Sequence, residues 1–306
     1  MNFKFNSTPF PNILSLSLSS VCCAKCVWCP TGRGITKPKK NKFMPMAVIE
    51  KIIKDCEGKN IESIWIGDNG ESLMHPQFKE IVTKLKIGFP KTAIGLVSNF
   101  YLMDADMAKF VVDNFNYANL NIDGWSEEAY YAVKHMSLYK ILDNLKVFLS
   151  TRLQKHNRIV DLSRFCQIHI SILTQARYYS AIGEPEKITV KDETLKVWSE
   201  VREMLEVVDT TLCPFPLTWA ERAKWNKPRE KKNCIGMPVM HRKLFIDSNG
   251  GVYCCCLDYD SEILFGNILD NTIEEIWNGE KRKRFMDLCF SGHLKEVGLP
   301  CSICQD

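Results

Sequence analysis

The sequence has no apolar run of about 18 residues, the length that a membrane-spanning helix needs. Residues 1–20 carry scattered apolar side chains and not the continuous apolar core of a signal peptide. An excess of one charge is also missing, because 40 Lys and Arg residues against 36 Asp and Glu residues leave a formal charge of only +4. There is no internal repeat or low-complexity segment. We therefore expect a cytoplasmic globular protein that neither enters a membrane nor binds nucleic acid through a basic stripe.

Cysteine, in contrast, is abundant. The chain has 14 cysteines among 306 residues and is far longer than the small scaffolds that disulfides stabilise. Four of these cysteines lie within residues 22–29 and seven within residues 234–304. A cysteine-rich cytosolic chain is typical of metal-binding or redox proteins. The distribution predicts two metal sites, one near each end of the chain.

From residue 12 to about 215, short β-like runs alternate with longer helical ones, a pattern typical of β/α units on a parallel sheet. Six strands are predicted, at 13–18, 63–67, 93–98, 117–122, 166–173 and 207–212. Helices with apolar residues at i, i+3 and i+4 are predicted at 46–56, 76–87, 104–114, 138–153 and 193–205. Six units make an open barrel, so the predicted fold class is α/β with a partial (β/α)6 TIM-like barrel.

The chain changes character at residues 214–232, where prolines and mixed charges predict a linker. Beyond it, a β-hairpin with an Asp-Ser-Asn-Gly-Gly turn and one long helix are predicted at 243–246, 252–255 and 273–289. The sequence therefore predicts two domains. Residues 1–215 form the barrel, and residues 216–306 form the linker and a small carboxy-terminal hairpin and helix module.

The first cysteine group has the spacing C-x-x-x-C-x-x-C at Cys22, Cys26 and Cys29, directly after the first predicted strand. Thiolates this close in sequence converge only if the chain loops around a metal, and soft thiolate sites bind zinc or iron–sulfur clusters. Structural zinc takes four ligands. Three cysteines on a four-iron cluster leave one iron open to a small molecule. A zinc knuckle, or chance clustering beside Cys23, is the alternative.

This loop resembles the hallmark of the radical S-adenosylmethionine (SAM) enzymes, which carry it after the first strand of a partial (β/α)6 barrel. Trp28 occupies the family's aromatic position before the third cysteine. The resemblance implies that Cys22, Cys26 and Cys29 bind a [4Fe-4S] cluster. It also implies that the open iron of this cluster holds SAM, and that an electron from the cluster cleaves SAM to a 5′-deoxyadenosyl radical. An external electron donor such as flavodoxin or ferredoxin is implied as well, and Cys23 is expected to be a bystander.

Residues 67–76, after the second predicted strand, resemble the family's Gly-Gly-Glu-Pro motif, which holds the amino group of the cofactor. Gly70 would let the backbone approach the ligand, and Glu71 would offer an acceptor to an ammonium group. The match is imperfect, since Asn69 replaces a glycine and Ser72 replaces the proline. A turn with an exposed acid is the alternative interpretation.

Two further strand ends resemble cofactor-binding segments of the same family. Ser98 and Asn99 end the third predicted strand and would lie near the carboxylate and ribose of SAM, although Phe100 replaces the family's glycine. Asp123 follows the fourth predicted strand and would face the ribose or the substrate. Ordinary turn chemistry explains both segments equally well.

The second cysteine group combines a separated pair, Cys234 and Cys255, with a closing C-x-x-C at Cys301 and Cys304. Four thiolates suffice for zinc or for a closed four-iron cluster. The layout resembles the auxiliary-cluster module of the SPASM/twitch branch of the radical SAM enzymes, which implies one auxiliary [4Fe-4S] cluster. The family's spacing from glycine to cysteine selects Cys255, although either neighbouring cysteine is an alternative ligand.

The pair of clusters implied by the resemblance suits a two-electron oxidation, in which the second cluster takes an electron from the substrate radical. The expected reaction is dehydrogenation of a small polyol, aminocyclitol or sugar. Modification of a peptide or protein is the alternative, and it is disfavoured because the first strand begins near residue 12 and leaves no room for a leader-binding domain. An electron carrier or zinc-stabilised binding module would not explain the Gly-Glu segment.

The basic segment 37–42 is expected to be solvated, with attraction of an anionic substrate as the alternative. The sequence assigns no catalytic acid or base.

Overall fold

The computed structural model describes residues 8–122, 126–155, 167–172, 199–201, 203–204, 210–212, 234 and 237–304. Its strands are β1 (Ile13–Leu16), β2 (Ser63–Ile66), β3 (Ala93–Ser98), β4 (Tyr117–Ile122), β5 (Gln167–Ile172), β6 (Thr210–Leu212), β7 (Lys243–Ile246), β8 (Gly251–Tyr253) and β9 (Leu264–Asn267). Its helices are α1 (Met46–Asp55), α2 (Phe78–Gly88), α3 (Ala105–Asn114), α4 (Glu127–Lys134), α5 (Leu138–Lys155), α6 (Met237–Met240), α7 (Ile273–Trp277), α8 (Glu280–Phe290) and α9 (Leu294–Val297).

The described strands form one sheet in the order β6-β5-β4-β3-β2-β1-β7-β8-β9. Strands β1 to β6 each pair in parallel with their neighbours in sequence. Helices α1, α2, α3 and α5 connect successive strands of this set. The alternation is that of a partial (β/α)6 barrel, so the predicted fold class is confirmed. The helix predicted at 193–205 falls mostly outside the described residues.

The first strand and the residues after it alternate leucine with serine, and this alternation separates the two faces of the sheet. The leucines are fully buried in the hydrophobic core: Leu14, Leu16 and Leu18. The serines lie on the opposite face and are also buried: Ser15, Ser17 and Ser19. Because the helices of a β/α barrel cover its outer face, these serines line its inside.

The helices pack their apolar stripe on the outer face of the sheet, as the 3.6-residue period predicts. Val48, Ile49 and Ile52 of α1 are fully buried, and each such side chain contributes about 1.5–3 kcal/mol by leaving water. Helix α3 begins where Asp104 accepts a hydrogen bond from Met107 N at 2.8 Å. Within the described parts of the chain, we find no helix with the length and apolarity of a membrane span.

The carboxy-terminal strands extend the barrel sheet. Strand β7 pairs in parallel with β1, and β8 and β9 follow as antiparallel neighbours, which confirms the predicted hairpin. Just beyond this pairing, Ser17 N donates to Ile246 O at 2.9 Å. The predicted domain boundary at residue 215 lies outside the described residues.

The single helix predicted at 273–289 is two helices, α7 and α8. Gly279 separates them with an extended backbone (ψ 152°), and a side chain there would lie 2.9 Å from Glu275 O. Trp277 ends the first helix and is fixed by a hydrogen bond from its Nε1 to Thr8 O at 2.7 Å. One helix was predicted because Thr272 offers a cap, and because Glu274 and Glu275 near the start and the basic residues 281–284 toward the end match the dipole of a single helix.

Helix α4 was not predicted. Ser126 caps its start by accepting a hydrogen bond from Ala129 N, and His135 ends it in a left-handed conformation with φ 53°. The helix has only eight residues and balances polar against apolar side chains. Its apolar period is therefore too short to stand out in the sequence.

Candidate active site

The loop after β1 carries the first cysteine group and is fixed to the end of α4. Its three predicted ligands are half-buried: Cys22, Cys26 and Cys29. The backbone N–H groups of Lys25 and Val27 donate to the carbonyls of Lys134 and Val133 at 3.0 and 2.9 Å. These carbonyls belong to the last turn of α4 and have no partner within the helix. The unpredicted helix therefore positions the cysteine loop.

Gly32 closes this loop by packing against its centre. A Cβ at Gly32 would lie 2.5 Å from Cys26 N and 2.7 Å from Cys26 O, closer than any side chain can approach. Cys29 N also donates to Cys26 O at 3.1 Å. Sequence reasoning missed Gly32, because a single glycine in a loop carries no signal of its own.

Asn99 reaches the cysteine loop from the end of β3. Its Nδ2 lies 3.7 Å from Cys22 Sγ and 3.5 Å from Cys23 Sγ. The Cys22 thiol donates to Cys23, which raises the pKa of Cys22 and lowers the pKa of Cys23 to about 7. The structure thus places the Asn99 side chain beside the predicted ligand Cys22 and also beside Cys23.

Gly70 lies against the chain that enters the cysteine loop. A Cβ there would be 2.3 Å from Ser19 O and 2.7 Å from Val21 O, and the residue has a φ of +70°. The next residue, Glu71, donates its N–H to Val21 O at 2.8 Å. Glycine is therefore required by close backbone contact as well as by conformation. The segment predicted to hold the cofactor also positions the cysteine loop.

The Glu71 carboxylate is only 2% exposed and joins two strand ends. Its Oε1 accepts from Leu73 N at 3.1 Å and from Ser98 Oγ at 3.0 Å, and its Oε2 accepts from Asn99 N at 2.9 Å. Burial raises the pKa of Glu71, and these hydrogen bonds oppose the shift. The structure brings the predicted cofactor residues Glu71, Ser98 and Asn99 together. Direct contact of the carboxylate with a cofactor ammonium group stays a prediction.

Phe100 adopts the backbone conformation that glycine would have at this position. Its φ is 61°, in the left-handed region that side chains rarely occupy. Its ring is fully buried and meets the Phe148 ring edge-on, with the two ring centroids 5.4 Å apart. Phe100 thus holds a left-handed conformation that glycine adopts without strain, and the packing of its ring offsets the strained backbone.

Cys289, a buried residue of α8, belongs to a cluster of buried side chains against which the predicted auxiliary ligands Cys234, Cys255 and Cys301 pack. The pKa of Cys289 is raised by burial and then by four neighbouring thiols: Cys301, Cys234, Cys255 and Cys304. An apolar group encloses this pocket: Met240, Phe285, Met286 and Leu294. Four thiols that converge in an apolar pocket are a donor set suited to an iron–sulfur cluster.

Three consecutive cysteines follow β8, and their thiols have different neighbours. The Cys254 thiol donates to Asp258 Oδ2 at 3.5 Å and lies beside Cys255 and Cys301; the contact with Cys254 lowers the pKa of Cys255, while burial raises that of Cys254. Burial raises the pKa of Cys256, and its neighbours Cys255 and Asp68 raise it further. The pocket therefore receives Cys254 and Cys255, and the choice of Cys255 as the ligand stays a prediction.

Tyr253 connects the carboxy-terminal strands to the inside of the barrel. Its hydroxyl lies 3.2 Å from Ser17 Oγ and accepts from Asn69 Nδ2 at 3.4 Å. Ser17 precedes the first cysteine loop, and Tyr253 precedes Cys255. Sequence reasoning missed this link, because it joins residues that are far apart in the chain.

Lys39 fastens the segment after the cysteine loop to the carboxy-terminal hairpin. Its Nζ donates to Asp247 Oδ2 at 3.2 Å, to Ser261 Oγ at 2.8 Å and to Asp260 O at 2.9 Å. The side chain is 14% exposed. Lys39 thus differs from the expectation of a solvated basic segment, since its charge is neutralised within the protein.

Two predicted cofactor-binding residues remain, Trp28 and Asp123. Trp28 is half-buried in the cysteine loop, and Asp123 lies outside the described residues. In the described part of the chain, no three His, Cys, Asp or Glu side chains meet as ligands of a single metal ion do. A four-iron cluster instead takes one cysteine on each iron, so its ligands stand apart.

The partial barrel and the two groups of cysteines have the donor set of an iron–sulfur protein. Residues 16–161 match the family model of the Radical SAM superfamily, and residues 234–305 match that of an iron–sulfur cluster-binding domain, SPASM. The chain belongs to the radical SAM superfamily, in its SPASM/twitch branch. Its cofactors are accordingly SAM, a [4Fe-4S] cluster and an auxiliary iron–sulfur cluster.

Solved structures share this fold at low sequence identity. BtrN in complex with AdoMet and 2-DOIA has a TM-score of 0.63 and 13% identity, covering 96% of this chain and 93% of its own. Native anSMEcpe with bound AdoMet has a TM-score of 0.56 and 18% identity, covering 96% and 88%. Streptococcus suis SuiB bound to S-adenosylmethionine has a TM-score of 0.57 and 12% identity, covering 97% and 72%. No curated protein sequence matches the chain.

Proposed function

We propose that the chain oxidises a small hydroxylated molecule, such as a polyol, an aminocyclitol or a sugar, by dehydrogenation. The observation that carries the proposal is a hydrogen-bonded group of polar side chains near the carboxyl ends of β1, β2 and β8, which we call the polar lining. It comprises Ser15, Ser17, Asp68, Asn69 and Tyr253; Asp68 and Asn69 are half-buried, and the other three are buried behind them. Hydroxyl, amide and carboxylate groups can donate to and accept from the hydroxyl groups of such a substrate.

The position of the lining supports an oxidation in particular. Ser17 leads into the loop of the first cysteine group, and Tyr253 leads into Cys255 of the second. A substrate bound to the lining would therefore lie between the two sites. When bound, SAM and the clusters supply a carbon radical that removes a hydrogen atom and an acceptor for the remaining electron.

The chain's own residues hold these two sites in a fixed relation. Glu71 fastens the predicted SAM segment to the end of β3, and Gly70 lets that segment press against the entrance of the cysteine loop. Lys39 joins the far side of the loop to the hairpin through Asp247. This fixed relation is what electron transfer between a substrate and a second cluster requires.

The neighbouring structures support the substrate class without deciding it. BtrN was crystallised with 2-DOIA, and this chain covers 93% of the BtrN chain. SuiB bound to precursor peptide SuiA and anSMEcpe bound to Cp18Cys peptide favour the second candidate function, modification of a peptide or protein. The polar lining inside the barrel favours the small-molecule substrate.

Deuterium transfer tests the proposal. The reconstituted protein, dithionite and SAM would be incubated anaerobically with perdeuterated inositols, amino sugars and aminocyclitols, and the 5′-deoxyadenosine analysed by mass spectrometry. We expect deuterium in 5′-deoxyadenosine and a ketone product from at least one of them. Transfer from deuterated peptides alone would replace the proposal with the maturase function.

The proposal includes an electron donor and a compartment. Cleavage of SAM consumes an electron, and we propose that a flavodoxin or ferredoxin supplies it. The reaction would take place in the cytoplasm, where thiols remain reduced. Replacing dithionite with reduced flavodoxin should sustain 5′-deoxyadenosine formation, and failure with both flavodoxin and ferredoxin would contradict this part of the proposal.

A further inference from the structure

Asp68 lies two residues after β2, at the carboxyl end of the parallel strands, where β/α barrels carry their chemistry. Its backbone has a φ of 86°, a conformation that costs a side-chain-bearing residue free energy. Such strain persists where surrounding structure enforces it and is concentrated at functional sites. The side chain is half-buried and therefore reachable from the inside of the barrel.

Asp68 differs from the other carboxylates around the two sites. Both oxygens of Glu71, Asp247 and Asp258 accept hydrogen bonds from the protein. Asp68 accepts one hydrogen bond, from Ser15 Oγ to Oδ2, and its Oδ1 accepts none from the described residues. One carboxylate oxygen is thus held in place, and the other is available to a ligand.

Asp68 has neighbours in the segments that carry both cysteine groups. On one side, Gly70 presses against the residues that enter the first cysteine loop. On the other side, Asp68 acts electrostatically on Tyr253 and Cys256, which lie next to the second cysteine group in sequence. A hydroxyl group bound by Oδ1 would lie beside segments that lead into both cysteine groups.

We propose that Asp68 binds the substrate hydroxyl that is oxidised and accepts its proton. This inference rests on the proposed function. SAM and the clusters, when bound, would supply the removal of a hydrogen atom from the carbon that bears the hydroxyl and an acceptor for the remaining electron. As the C–O bond of that carbon becomes C=O, the O–H bond of the substrate would break and its proton would pass to the Asp68 carboxylate.

Isothermal titration calorimetry without reductant tests the binding part. The reconstituted protein with SAM would be titrated with 2-DOIA, myo-inositol and glucosamine. Asp68→Asn is the informative variant, because asparagine tolerates the left-handed backbone while removing the charge. Asp106→Asn is the matched control, since this carboxylate lies on the exposed first turn of α3.

We expect at least one probe to bind, with a dissociation constant raised at least tenfold by Asp68→Asn and unchanged by Asp106→Asn. Equal binding to the wild type and Asp68→Asn, or binding of none of the probes, would overturn the inference. Iron content equal to that of the wild type would show that the variant is folded.

Deuterium transfer then separates this inference from the proposed function. An Asp68→Asn variant that transfers deuterium to 5′-deoxyadenosine but yields at least tenfold less ketone supports Asp68 as the proton acceptor. Full ketone formation by the variant overturns the role of Asp68 and leaves the dehydrogenase function intact. Probe binding that depends on Asp68, without deuterium transfer, would sustain the binding site and contradict the dehydrogenase function.

Discussion

Asn99 N donates to Glu71 Oε2 at 2.9 Å, and this hydrogen bond joins the ends of β2 and β3 at the candidate active site. The Asn99 side chain continues the connection to the sulfurs of Cys22 and Cys23. A change at Glu71 is therefore transmitted to the cysteine loop, although the carboxylate touches no cysteine directly.

The Glu71→Gln variant should be less stable than the wild type by about 1–3 kcal/mol, because the amide NH2 group cannot accept the hydrogen bonds that the carboxylate accepts. Anaerobic urea unfolding followed by circular dichroism measures the difference. The exposed Glu57→Gln is the matched control and should leave the free energy of unfolding unchanged. Equal stability of Glu71→Gln and wild type would contradict the bridging role of the carboxylate.

Gly70→Ala should abolish SAM binding and reduce the iron bound by the first cysteine group. The added Cβ would overlap Ser19 O and Val21 O at 2.3 and 2.7 Å and displace the entrance of the loop. Gly58→Ala is the matched control, because Gly58 has a similar φ of +72° with nothing within 4 Å. It should cost only about 1–2 kcal/mol of strain. If both variants bind SAM like the wild type, the close contact at Gly70 is irrelevant to the cofactor.

In the cluster-free protein, alkylation of Cys23 by iodoacetamide should rise with a midpoint near pH 7. The pKa of Cys23 is lowered to about 7 by the hydrogen bond from Cys22, and only the thiolate reacts. A lowered pKa populates the thiolate at lower pH, so Cys23 should react well before Cys56, whose burial raises its pKa to about 12. Peptide mass spectrometry measures both rates. Cys22→Ala should shift the Cys23 midpoint upward, and an unchanged midpoint would refute the Cys22 contribution.

Cys301→Ala should remove the auxiliary cluster while sparing the cleavage of SAM, since Cys301 belongs to the thiol pocket around α8. The matched control is Cys289→Ala, because Cys289 lies in the same pocket but is not a predicted ligand. Iron analysis should give about four fewer irons per chain for Cys301→Ala alone. Loss of iron from Cys289→Ala instead would assign the ligand role to Cys289.

The local elements of the barrel follow from the sequence. The six predicted strands overlap β1 to β6, because each is a short β-rich run bounded by turn residues. The helix predictions were wrong at two places, where tertiary contacts determine whether a helix forms and where it ends. The break between α7 and α8 accompanies the hydrogen bond of Trp277 to a distant part of the chain, and α4 is stabilised by contacts with the cysteine loop.

In the candidate site, too, the sequence predicts what local motifs determine and misses what tertiary contacts determine. The cysteine spacing and the Gly-Glu segment are local motifs, so their resemblance to those of the radical SAM family indicates the cofactors from the sequence alone. Asp68, Tyr253 and Lys39 gain their roles from partners on other strands and loops. No local pattern marks such residues, because their partners are chosen by the sheet order that brings β7 beside β1.

The most direct test of the account is the count of iron and acid-labile sulfide after anaerobic reconstitution, with electron paramagnetic resonance of the reduced protein with and without SAM. Two four-iron clusters require about eight irons and eight sulfides per chain. The account predicts this count, a spectrum that changes when SAM is added, and loss of that change when Cys22, Cys26 and Cys29 are replaced by Ala. About four irons together with bound zinc, or a spectrum indifferent to SAM, would contradict it.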